Sequence, residues 1–76
     1  MAYIESEILE HHGVLSTDPK SGWKKELNTV SWGRDPEKYD IRSWDPDHER
    51  GGKGVRLTAE ELRELRNILN TMNLDD

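Results

Sequence analysis

Leu57-Thr58-Ala59-Glu60-Glu61-Leu62 constrains this 76-residue chain more than any other stretch. Thr58 followed three residues later by Glu61 is a capping box, in which each side chain accepts from the other residue's backbone N–H. Leu57 is spaced to staple onto Leu62. Beyond this cap Leu62, Leu65, Ile68, Leu69 and Met72 recur at helical spacing on one stripe, while Glu60, Arg63, Glu64 and Asn67 lie away from its centre. One helix therefore closes the chain, and what precedes it reads with a period of two.

That upstream part divides into four strands. AYIESEILEHHGVLST places Ile4, Ile8 and Val14 on one parity and Leu9 and Leu15 on the other, so a bulge or bend is expected at Ile8-Leu9 or near Gly13. After the turn TDPKSG, WKKELNTVSW sets Trp23, Lys25, Leu27 and Thr29 against Lys24, Glu26, Asn28 and Val30, and the pattern does not decide which face is buried. GRDPE is a hairpin turn. KYDIRSW then sets Tyr39, Ile41 and Ser43 against Lys38, Asp40, Arg42 and Trp44. A loop, DPDHERGG, leads to the short strand KGVRL. Hairpin-length connections imply one α+β domain over residues 1–76: a four-stranded, curved antiparallel sheet (ββββα) covered on one face by the helix.

A core of this size buries only about 60% of the unfolded chain's surface. With no cysteine to form a disulfide, the remaining help is packing or self-association, and the stripe from Leu62 to Met72 is a reasonable homodimer seam. The N-terminus has neither a basic nor an apolar signal region, and apolar runs are too short for a membrane span. A cytoplasmic location is expected.

The formal net charge is −5, which argues against generic nucleic-acid binding. Its distribution argues otherwise. Residues 1–19 hold four acids and no base and residues 57–76 are net −3, whereas residues 20–56 hold nine Lys or Arg against seven acids, together with all three Trp. Screening over about 8 Å limits what the distant acids cancel.

Enzyme signatures are missing: there is no nucleophile elbow, phosphate-cradling Gly loop or His-Glu-x-x-His. His11 and His12, adjacent on a strand, point to opposite faces, and His48 reads as a lone loop residue, so no metal site or cofactor is expected. Asp45, Asp47 and Glu49 imitate the start of a calcium loop, but Arg50 stands where Gly is needed and Arg56 where a bidentate Glu is needed.

What remains is an aromatic and basic set: Trp23, Lys24, Lys25, Trp32, Arg34, Lys38, Arg42, Trp44, Arg50 and Lys53. Exposed rings stack on unpaired bases while Lys and Arg track phosphates, so single-stranded DNA is the expected partner. Trp44 shares its strand face with Lys38, Asp40 and Arg42, which argues for exposure. Single-stranded RNA, or a protein partner meeting the same rings, fits the same residue types.

YDIRSW, a loop, GGKGVRLT and an amphipathic helix resemble the positive-cofactor-four family of transcriptional coactivators. With KKELNTVSW the likeness extends to the bacterial YdbC-like branch and nearly the whole chain. It implies helix-mediated dimers and sheet grooves that hold single-stranded DNA with little sequence preference, in transcription or DNA metabolism, with the transcription machinery as a further candidate partner. By position it implies DNA contacts from Arg42, Lys38 and Lys53 and stacking by Trp44 and Trp32. The chain lacks the Ser-rich segment of the eukaryotic coactivators, and its Arg42-to-Trp44 spacing is one residue shorter.

Overall fold

A computed structural model describes residues 6–32 and 37–75, leaving aside the side chains of Ser6 and Trp32. The elements follow the expected order: β1 (Ser6–Thr17), β2 (Lys24–Trp32), β3 (Lys38–Trp44), β4 (Gly51–Leu57) and α1 (Ala59–Thr71). The strands form one antiparallel sheet in sequence order, β1-β2-β3-β4.

β1 changes parity at three places, with Leu9, His12 and Leu15 as extra residues against an unbroken β2. Each bulge turns the following residues over and bends the strand, which is how one strand carries apolar residues on both parities. His11 and His12 do face opposite ways: the His11 Nδ1 lies 2.7 Å from Asn28 Oδ1 and the His12 Nε2 lies 2.7 Å from Thr29 Oγ1.

The β1–β2 connection is closed by Asp18. Its backbone N–H donates to Trp23 O and its carbonyl accepts from Gly22 N, whose φ of 80° suits a glycine. Hydrogen bonds from Lys20 N, and from the Ser21 side chain and backbone, hold the Asp18 carboxyl below its ordinary pKa.

β4 begins at Gly51, two residues earlier than the pattern KGVRL suggests, because Gly51 still pairs with Trp44 of β3. Between Arg42 and Trp44 the β4 side carries Gly52 and Lys53 against Ser43 alone, a bulge in β4. The next pair brings the chains very close: a Cβ on Gly54 would overlap the Arg42 Cβ and the Ile41 carbonyl oxygen.

At the junction to α1 both halves of the capping box form. Glu61 N donates to Thr58 Oγ1 at 3.1 Å and Thr58 N donates to Glu61 Oε1 at 2.9 Å. The helix then lies over the face carrying Leu27 and Ile41, with Leu62, Leu65 and Leu69 toward it across an open apolar groove that also includes Leu15. No helix residue is buried, and Ile68, Leu69 and Met72 remain 44–50% exposed.

The buried positions lie elsewhere. Val30 and Trp44 are the buried apolar residues among those described, alongside the polar Glu26, Asn28, Thr29 and Asp40. Glu26, Asn28 and Val30 pair with Arg42, Asp40 and Lys38, so the mostly polar face away from the helix is the more deeply covered one.

Candidate nucleic-acid interface

The geometry of that face starts at β3. Asp40 is completely buried, and its carboxylate receives the Arg42 guanidinium as a fork: Nε donates to Oδ1 and Oδ2 at 2.8 and 2.9 Å, and Nη2 lies 2.8 Å from Oδ2. Residues two apart on a strand share a face, so the pairing is local, and the planar fork suits a carboxylate. Arg42 Nη1 also donates to Gly52 O at 3.0 Å, fastening the start of β4 to β3. Arg42 is thus held in one orientation along the sheet surface.

A second network centres on Glu26, which is 2% exposed. Asn28 Nδ2 donates to Glu26 Oε1 at 3.1 Å, and His48 Nε2 lies 2.9 Å from Oε2. The His11 Nδ1 lies 3.6 Å from Oε1. Burial by itself would raise the Glu26 carboxyl, but the Asn28 and His48 hydrogen bonds and the charges of His48 and His11 outweigh it and hold the group below its ordinary pKa.

Trp44 ends β3 beneath the loop of residues 45–50. The loop is tied by Asp45, whose Oδ1 accepts from Glu49 N at 2.8 Å and Arg50 N at 3.1 Å, and by His48 N donating to Asp45 O. The carboxylate that imitates a calcium ligand therefore serves the turn. His48, at φ 60°, lays its ring on the Trp44 indole with centroids 5.9 Å apart and planes 29° from parallel.

This arrangement corrects two sequence expectations. Trp44 is 3% exposed, so its ring does not lie open on the surface with Lys38 and Arg42; the loop closes over it because the indole offers a large apolar area to bury. His48 is also not a lone loop residue, since both Trp44 and Glu26 hold it. The burial has a polar cost, because the Trp44 Nε1 finds no acceptor among the described residues.

The expected set is otherwise divided by strand parity and position. Lys24 pairs with Trp44 on the face away from the helix, whereas Lys25 pairs with Ser43 on the helix side, where Trp23 also lies, in a shallow surface depression with Ser43. Arg50 and Lys53 are exposed beside Gly51 and Gly52, so Lys24, Lys25, Arg50 and Lys53 gather at one end of the sheet. Lys38 sits at the other end of β3 opposite Val30, about 20 Å away at the rise of a strand. Trp32 pairs its backbone with Ser6 at that end, its side chain lying outside the described residues, as does Arg34.

Residue types alone missed Glu26, Asn28, His11 and His48. The available signal was the polar parity Glu26-Asn28 facing Asp40 and Arg42, which becomes visible only once β2 and β3 are in register. Among the described residues no group of three or more His, Asp or Glu is arranged to hold a metal, and no helix is long and apolar enough to cross a membrane.

A small ββββα protein with an apolar helix side and a charged, hydrogen-bonded outer face is the class this geometry defines. The chain belongs to the family described as Transcriptional Coactivator p15 (PC4), whose model matches residues 20–68. The match takes in β2, β3, β4 and the first ten residues of α1, Ala59 to Ile68, and so every member of the aromatic and basic set. An uncharacterized protein of Treponema pallidum (strain Nichols) is 51% identical over 69 residues, covering 91% of this chain and 80% of that protein.

Proposed function

We propose that this protein is a non-enzymatic, cytoplasmic single-stranded DNA-binding homodimer acting in transcription or DNA metabolism. What carries the reading is the concentration of Lys24, Lys25, Arg50 and Lys53 at one sheet end of an otherwise acidic chain, next to an Arg42 already fixed by Asp40 and Gly52. Family membership supports the same reading. A strand laid along β3 would meet this end first and reach Lys38 at the other. Trp23 and Trp32 are assigned to base stacking, with the buried Trp44 only supporting the loop above it, while Lys and Arg take phosphates.

The second copy is assigned to the helix side. Two buried apolar residues among those described make a small core, and Leu62, Leu65, Ile68, Leu69 and Met72 offer the area it lacks. Both copies would then turn their basic sheet ends away from the seam.

Fluorescence anisotropy of a labelled oligo-dT tests the proposal. Saturable binding is expected, weakening roughly tenfold or more between about 50 and 200 mM salt. Oligo-U and duplex DNA run alongside rank the RNA alternative. No binding to any of the three at micromolar protein sinks the nucleic-acid reading and leaves a protein-interaction role for the same rings.

A further inference from the structure

The sheet face away from the helix carries a groove lined by Ile8, His11, Val14, Lys24, Glu26 and His48, with Asn28 also at its wall. We infer that this groove receives one unpaired base of a bound single strand, which stacks on the outer face of the His48 imidazole while Lys24 meets its phosphate. The inference rests on the single-strand reading above and names His48, not Trp44, as the stacking ring at this end of β3.

The ring is built for that use. Its inner face is spent on Trp44, its Nε2 is held by Glu26 at 2.9 Å, and the side chain remains 42% exposed. His48 keeps a left-handed backbone, which is strained for a non-glycine residue and persists where surrounding contacts impose it. Here those contacts are the Asp45-tied turn, Glu26 and the indole. A ring fixed in advance loses little freedom when a second ring settles on it.

The groove's composition suits a base and its phosphate. Ile8 and Val14 supply apolar walls for a flat heterocycle, His11 offers a polar edge, and exposed Lys24 stands where a backbone phosphate can be met. Imidazole is among the rings on which unpaired bases stack. Trp44, sealed below, cannot stack directly without the loop being lifted off, so its part is to back the His48 ring.

The test compares wild type, His48→Ala and His48→Phe on labelled oligo-dT and on an abasic oligomer of equal length, with circular dichroism to establish that each variant is folded. His48→Ala is expected to weaken oligo-dT binding about tenfold, the worth of one stacked base, while abasic affinity stays within about twofold. His48→Phe should restore most of the oligo-dT affinity. Unchanged affinity in His48→Ala, tighter binding because the ring merely shields Trp44, or an equal loss on the abasic oligomer would each overturn the inference while single-strand binding stands. If wild type does not bind oligo-dT, the functional reading fails first.

Discussion

Arg42 is the residue on which stability and surface chemistry meet. Its guanidinium neutralises a carboxylate that has no access to water, so its removal leaves Asp40 as a buried, unpaired charge. Breaking a buried pair by deleting one partner typically costs about 3–5 kcal/mol. Arg42→Ala should therefore lose about 3 kcal/mol in urea unfolding, whatever it does to DNA affinity, and a loss below 1 kcal/mol would show that the pair is not structurally coupled. Glu26 makes a pH-dependent case. Its folded-state pKa lies below the ordinary 4.5, so its stabilising contribution is fully present above that value and is lost as pH falls through the lowered folded one. Glu26→Gln should unfold about 1–2 kcal/mol more easily near pH 7, with the difference shrinking as the pH falls through the lowered folded-state pKa of this carboxyl. A gap independent of pH would contradict the assignment of charge to this carboxylate.

Among the elements, β4 depends most on a single small residue. Gly54 lies against the β3 backbone at Ile41 and Arg42, where an added methyl would have to displace main chain rather than a flexible side chain. Gly54→Ala should destabilise by about 2–3 kcal/mol in thermal or urea unfolding, as overpacking does; a neutral result would mean that β4 can shift away from β3 at little cost. β1 contrasts with it. Three bulges let it change faces, which reconciles Ile8 and Val14 toward the outer groove with Leu15 toward the helix. The helix needs no such device, since its cap and stripe are local.

For the molecule as a whole, the open apolar groove beneath α1 and the exposed Ile68, Leu69 and Met72 make a lone chain poorly covered. Sedimentation or light scattering at tens of micromolar protein should give twice the chain mass, and Ile68→Asp should return it to a monomer of lower thermal stability. A monomeric wild type would refute the seam. With four acids and no base in residues 1–19 and a net −3 in residues 57–76, the total of −5 reflects the two ends of the chain more than the sheet end that gathers Lys24, Lys25, Arg50 and Lys53, so net charge alone describes this molecule poorly.

The order of elements, the capping box and the parity break in β1 were legible because each depends on neighbours within a few residues. The Asp40–Arg42 fork is equally local, two residues apart on one strand face. The fate of Trp44 and His48 was not. A period of two says which residues share a face, but it does not say what covers that face. Here the cover comes from a loop pinned to Glu26, which lies 22 residues from His48 in sequence. Local patterning thus specified the element order and the cluster of basic and aromatic residue types. Tertiary structure alone decided which of them are open to a partner, because burial depends on contacts between segments that only the register of β2 with β3 brings together.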